Sequence, residues 1–403
     1  MAALGPRDLC VPQGVTRLPA EIRWVLACLR SRDSQELPSP PASLRWDYLV
    51  AFAEAEGLAP ALGRAIKARV PAVVPLAVRQ RLEQKLADGV AGQLILSREL
   101  GRLLKHFEGG GIPVIPLKGP ALAETLYQHP ALRPCTDLDL LVRRESVDRA
   151  DDLLQILGYR RLADAHSFRF DVAYDRATLY EGTAGVRVDL HWGLLSDPRY
   201  SWNEREGVEV WRRAVRTRVA GEETLGLCPE DLLLYLSVHL AVHHSLAGLL
   251  WYYDLYLVIE RWGGTLDWEA LMTRASCWRV RVALYFALLE LERLFGPRVP
   301  AQVLARIAPR GPRAATMGWL LGHRTPEQRR RLEHLITLLL VDRGRDLLGT
   351  LRHALFPPPA WLRARYEGLS SSLLGCYWAH CRRLGQIMRQ AKKGLGDRIN
   401  GAG

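Results

Sequence analysis

The feature that most restricts how this 403-residue chain can fold is a change of hydrophobic period at Gly109. Before it, Ile22, Val25, Leu26 and Leu29, then Leu49, Phe52 and Ala53, then the stretch from Val78 to Leu104, keep the 3.6-residue spacing of amphipathic helices. From Gly109 to about residue 220 the chain breaks into short alternating runs separated by Gly, Pro and Asp. Helical spacing returns at Pro229 and lasts to about residue 345, and FPPPAW at 356–361 interrupts it. The expected fold class is therefore α+β, a small mixed β-sheet core flanked by N-terminal and C-terminal helical regions. The expected segments are a helical region at 1–108, the α/β core at 109–222, a helical domain at 223–350 and a basic C-terminal segment at 351–403.

Inside the core, Ile112 to Leu117 reads as a strand, and Gly119-Pro120 opens a helix that runs to Tyr127. Asp137 to Val142 is a second strand. Ser146 is placed to cap a helix whose apolar positions are Val147, Ala150, Leu153, Leu154 and Leu157, with Gly158 ending it. Phe168, Phe170, Val172 and Tyr174 alternate with Arg169, Asp171 and Ala173 as in a half-buried strand, and Val186 to Trp192 is another.

Three of these segments carry chemistry. A strand has period two, so Asp137 and Asp139 leave one face while Leu138, Leu140 and Val142 leave the other. Like charges held so close resist joint ionisation. A divalent cation removes the conflict, and hard oxygen ligands suit Mg²⁺. The same aspartates could instead merely flank a strand end. In GVRVDLHW, Arg187, Asp189 and His191 share the face opposite Val186, Val188 and Leu190. That row is either a site or the solvated side of a sheet. Lys118-Gly119-Pro120 adds a strand-to-helix junction at which backbone N–H groups and an ammonium could meet an anion.

In that order, strand–KG–helix, strand with DxD, later strand with a lone Asp, the chain resembles the DNA polymerase β type of nucleotidyltransferase. It resembles more closely the bacterial family of uncharacterised nucleotidyltransferases. The resemblance rests on LKGPAL at 117–122, RPCTDLDLLV at 133–142, LGYR at 157–160 and VDLHWGL at 188–194. It continues downstream through HLAVHH at 239–244, LWYYDLYLVIE at 250–260 and LDWEAL at 266–271, and spans about residues 20–365. It implies a Mg²⁺-dependent enzyme that moves a nucleoside monophosphate from an NTP to an acceptor hydroxyl on a small molecule, a sugar or a peptide or protein. It also implies Asp137, Asp139 and Asp189 as catalytic residues and ligands of two Mg²⁺ ions. Lys118, Gly119, Arg133, Arg187 and His191 fall on the nucleotide and phosphate side. Lys-Gly stands where many members of the wider superfamily carry Gly-Ser or Gly-Gly. The alternative reading is a non-catalytic nucleotide-binding module that retains the fold.

His239 and His243 are four apart on a predicted helix, with His244 beside them. That spacing can hold zinc, but it equally suits core histidines or a wall of the cleft. Asp254, among Trp251, Tyr252, Tyr253 and Tyr256, needs a partner if buried. His239, His243 and Asp254 are thus candidates for a substrate pocket. In the tail, Tyr377, Cys381, Leu384, Met388, Ala391 and Leu395 form an apolar stripe with Arg382, Arg383, Arg389, Lys392 and Lys393 between them. Such a helix can touch an anionic membrane surface peripherally or dock on its own domain. The formal net charge of +12 favours anionic partners without choosing among them, and no nucleic-acid-binding motif accompanies it. Seven dispersed cysteines without CxxC spacing, no signal-peptide pattern and no apolar run of membrane-spanning length give the expectation of a cytoplasmic protein without a transmembrane segment.

Overall fold

The computed structural model describes residues 18–31, 38–67, 74–127, 129–162, 177–182, 185–195, 204–323, 326–344, 347–348, 355–357, 359–366 and 372–396. Three N-terminal helices, α1 (Ala20–Arg30), α2 (Trp46–Ala55) and α3 (Ala59–Lys67), precede the 34-residue α4 (Leu76–Gly109). Helix α4 joins two hydrophobic cores. Val78 and Leu82 near its start sit in a large helical core, whereas Leu96, Leu100, Leu103, Leu104 and Phe107 lie in a second core beneath the sheet. The period change at Gly109 is therefore a change of element, while the packing boundary lies inside the helix that precedes it.

The sheet contains β1 (Val114–Pro116), β2 (Asp137–Val142), β3 (Arg160–Arg161), β4 (Ala177–Glu181) and β5 (Arg187–His191), in the order β1-β2-β5-β4-β3. Only β2 and β5 pair in parallel; the other neighbours are antiparallel. Leu138, Leu140 and Val142 of β2, with Val188 and Leu190 of β5, face α4 and α6 (Val147–Ile156) in the second core. Leu141, on the opposite face, joins Ile115 and Leu117 in the helical core. The aspartate-bearing face is thus turned towards helices, not towards bulk water.

Several expectations shift in detail. The first strand is three residues long, and the Val186–Trp192 strand trims to Arg187–His191. The segment after Gly119 is one helical turn, α5 (Pro120–Leu122), that widens into a π-helical turn at Ala123–Tyr127. Ser146 precedes α6 but makes no side-chain capping bond. The alternating run Phe168–Tyr174 lies outside the described residues. After α7 (Glu204–Arg213), a hairpin of β6 (Val215–Val219) and β7 (Glu222–Gly226) turns through Ala220 and Gly221, both at positive φ. The expected boundary at 222 falls on this hairpin, which packs on the core: Thr224 donates to the Val114 carbonyl at 3.1 Å.

Beyond it come α8 (Pro229–His243), α9 (Leu249–Trp262), α10 (Trp268–Cys277) and α11 (Arg281–Phe295), all contributing to the helical core. The basic tail does form a helix, Leu373–Gly396, whose described inward face takes in Tyr377 of the expected stripe but not Cys381. Cys376 and His380 are buried against Leu362 and Tyr366, while Cys381 is exposed. No helix among the described residues is long and apolar enough to cross a membrane.

Candidate active site

The parallel pairing of β2 and β5 sets Asp139 directly opposite Asp189 and Asp137 opposite Arg187. Two residues further along β5, His191 reaches back between the strands. Its Nε2 lies 3.2 Å from Asp139 Oδ1 and 3.3 Å from Asp189 Oδ2. Burial would strip the ring of its proton, but Asp189 and Asp139 outweigh burial and push its pKa up to about 9, so it is an imidazolium at neutral pH. Lys118, at the end of the β1 segment, places Nζ 2.8 Å from the same Asp139 oxygen. Burial opposes the Asp139 charge, yet Lys118 and His191 hold this carboxyl far below the usual range.

Asp137 is less provided for. Burial comes first, and the charges of Asp139 and Asp189 add to it; together they raise its pKa despite the pull of Lys118. Among the described residues, Lys118 and His191 form ion pairs with Asp139 and Asp189, whereas Asp137 forms none. The ligand atoms of Asp139, Asp189 and His191 lie within 4.8 Å of one another, and the buried His191 Nδ1 has no hydrogen-bond partner. Oxygen donors with an imidazole beside them suit a hard divalent ion such as Mg²⁺ or Mn²⁺.

Gly119 makes the approach of this loop possible. Its φ of 60° with ψ of −130° is backbone open to glycine, and a Cβ there would stand 3.2 Å from the Asp137 carbonyl oxygen. The loop bearing Lys118 consequently lies flat against the start of β2. Cys135, beside it, donates to Gln93 Oε1 of α4, and burial pushes its thiol up to about 11.

Not every residue singled out from the sequence gathers here. Arg133 is 2% exposed and closes on Asp254, with Nε 2.9 Å from Oδ1 and a terminal nitrogen 2.8 Å from Oδ2. Tyr127 donates its hydroxyl to the same carboxylate at 2.7 Å. The expected phosphate contact of Arg133 and the expected pocket position of Asp254 give way to a buried pair, because burial leaves each charge no other partner than its opposite. This pair ties the π-helical turn and the start of the DxD segment to α9. Arg187 is exposed at the first position of β5.

A cleft of about 90 Å³ opens at Asp189, lined by Lys118, Asp189, His191, Leu194 and Leu195 on one side. Tyr235, Val238, His239, Val242 and His243 of α8 form the other wall. They share one face at helical spacing, the signal by which Tyr235, Val238 and Val242 could have been found along with the histidines. His239 Nε2 lies 3.5 Å from Lys118 Nζ and 3.1 Å from His244 Nε2. An ammonium only donates, so His239 Nε2 accepts and the His244 nitrogen carries the hydrogen. His244 in turn stacks on Trp251 at 4.3 Å, and the Arg133 guanidinium lies 5.3 Å from the centre of that indole. Among the described residues, the groups that could hold a metal are Asp139, Asp189 and His191, with no histidine of α8 in the set.

Burial, then His243, then Lys118 bring the His244 pKa down to about 4, and burial and Lys118 hold His239 well below its usual value. In the unfolded chain each ring takes its proton near 6.5. Acid therefore favours the unfolded chain: the stability held by neutral His244 is whole above pH 6.5 and lost as the pH falls to 4. Its slope is about 1.4 kcal/mol per pH unit. Urea denaturation of the wild type and of His244→Gln across this window checks it. The variant is expected to lose less stability on acidification, and parallel losses would contradict the buried neutral ring.

A family model described as an uncharacterised nucleotidyltransferase matches residues 42–296. The chain belongs to this family. The matched residues run from the approach to α2 to the end of α11, so both walls of the cleft lie within the nucleotidyltransferase region and the basic tail helix lies outside it. No curated protein and no solved structure matches the chain.

Proposed function

We propose that this nucleotidyltransferase is a Mg²⁺-dependent enzyme that transfers a nucleoside monophosphate from an NTP to an acceptor hydroxyl. The observation that carries the reading is the facing pair Asp139 and Asp189, with Asp137 on the same sheet face and Asp189 lining a cleft. Asp139 and Asp189, with Asp137 beside them, would hold the divalent ion. A bound ion supplies charge neutralisation at the phosphates and lowers the barrier to attack on phosphorus.

The chain's own side chains do the rest. Asp189 is placed to accept the proton of the acceptor hydroxyl as its oxygen bonds to the α-phosphorus and the bond to pyrophosphate breaks. His191, bridging Asp139 and Asp189, fixes the orientation of both carboxylates. Lys118 and the exposed Arg187 set positive charge at the two ends of the site. Transfer of this kind depends mostly on positioning and electrostatics, which such fixed pairs provide. The wall of Tyr235, Val238 and Val242 excludes water beside the reacting atoms.

The direct test is incubation of the full chain with Mg²⁺ and each α-labelled NTP, in the presence of candidate acceptors and of the protein alone. Pyrophosphate release, or label on acceptor or protein, that stops when EDTA removes the metal is the expected result. Saturable NTP binding without pyrophosphate release would favour the non-catalytic binding module instead.

A further inference from the structure

The tail helix Leu373–Gly396 lies beyond the matched nucleotidyltransferase region and has two unlike faces. One is docked on the chain itself: Cys376 and His380 are buried against Leu362 and Tyr366, and the Tyr366 hydroxyl lies 3.3 Å from His380 Nδ1. The other looks outward. Leu374, Trp378 and Arg382 follow at spacings of four and so share one side of the helix. Leu374 is 83% exposed and Trp378 is 65% exposed, and the Arg382 guanidinium lies 5.4 Å from the centre of the Trp378 ring. Tyr377 donates its hydroxyl to the Pro357 carbonyl at 3.3 Å, which sets the exposed Leu355 and Phe356 beside the same helix.

Positive charge continues along this side. From Leu373 to Gly396 there are five Lys and Arg and no Asp or Glu. Arg382, Arg383 and Arg389 are exposed, and Arg389, seven residues after Arg382, falls on the Trp378 side again. The short helix Pro326–Arg331 packs on the tail helix and brings the exposed Arg330 and Arg331. Apolar side chains at one end of a helix and uncontested positive charge along the rest fit a surface that offers hydrocarbon and anionic headgroups together. Nucleic acid offers phosphate but nothing apolar for Leu374.

We propose that the outward face of this helix docks the protein on an anionic lipid surface, with Leu374 and Trp378 entering the headgroup boundary and Arg382 and Arg389 meeting the lipid phosphates and carboxylates. The stripe expected from the sequence would have turned Tyr377 and Cys381 to the lipid; the docked Cys376 and His380 instead hold the helix with Leu374 and Trp378 outward. The contact therefore needs no unfolding of the tail, and it is independent of the transfer reaction.

Flotation of the full chain with lipid vesicles tests this. Vesicles of phosphatidylcholine mixed with phosphatidylserine are expected to carry the protein, vesicles of phosphatidylcholine alone are not, and added NaCl is expected to release it. Leu374→Ser combined with Trp378→Ser is expected to abolish flotation and leave the thermal melt unchanged, since both side chains are exposed. Arg382→Gln combined with Arg389→Gln is expected to weaken binding about 25-fold, about fivefold for each basic residue at the surface. Ile156→Ser, which removes an equally exposed apolar side chain at the end of α6, is expected to change nothing. Absence of flotation, equal flotation with both vesicle types, or flotation that survives loss of Leu374 and Trp378 overturns the proposal. So does a dimer in sedimentation that Trp378→Ser dissolves, which assigns the face to a second copy. Retention of a single-stranded RNA by protein that vesicles do not carry assigns it to nucleic acid and overturns the proposal as well.

Discussion

Replacing Asp254 with alanine is expected to cost about 3–5 kcal/mol of stability, more than any substitution on the cleft wall. Asp254 is fully buried and receives both a two-pronged guanidinium bond from Arg133 and the Tyr127 hydroxyl. Its loss strands an arginine that is 2% exposed, with no water to take over. The cost is that of an unpaired buried charge, not of the bond itself, and this makes a sharp control available. The double variant Arg133→Met, Asp254→Leu removes both charges and is expected to recover most of the loss. Urea denaturation of the single and double variants checks this. A double variant as unstable as the single would mean that the pair contributes through geometry no apolar side chain can replace. Since the pair anchors the segment leading into Asp137 and Asp139, Asp254→Ala is also expected to impair transfer while leaving every cleft residue in place.

Asp139→Ala is expected to abolish transfer and destabilise the protein together, whereas Asp189→Asn is expected to abolish transfer alone. Either change removes a carboxylate from the proposed site, for which a fall of about 10³-fold is expected, equivalent to roughly 4 kcal/mol. Their structural surroundings differ. Asp139 lies between Lys118 and His191, and its removal leaves two enclosed cations facing each other, at a cost of the order of 3 kcal/mol or more. Asp189 is one-third exposed, and asparagine keeps an oxygen for His191, so its effect on the melt should stay within about 1 kcal/mol. Label transfer from NTP and thermal melts on both variants separate the two effects. Transfer surviving in Asp139→Ala would refute the role assigned to that residue.

The tail helix shows where periodicity alone misleads. A stripe through Tyr377 and Cys381 fits the spacing, yet the partner segment containing Leu362 and Tyr366 covers Cys376 and His380 along with Tyr377 and leaves Cys381 exposed. A helix with apolar residues on more than one side has no preferred inward face until something packs on it. The hairpin Val215–Gly226 escaped for a related reason: its strands are rich in Arg, Glu and Thr, with only Val219 buried, so no hydrophobic alternation marks them.

What the sequence by itself determined was local. The period change at Gly109, the Asp137–Val142 strand, the shared face of Asp137 and Asp139, and the strand-to-helix junction at Gly119-Pro120 all follow from spacings of a few residues, which backbone geometry converts directly into faces and turns. What only the tertiary structure decided was which charge meets which. Arg133 and Asp254 are 121 residues apart in sequence, and Asp139 and His191 are 52 apart. An arginine near a phosphate-binding loop and an arginine locked in a core read alike in one dimension. The difference lies in burial: once water is excluded, each ion must take the nearest opposite charge, and only the folded packing of β2 and β5 against α8 and α9 sets which one that is.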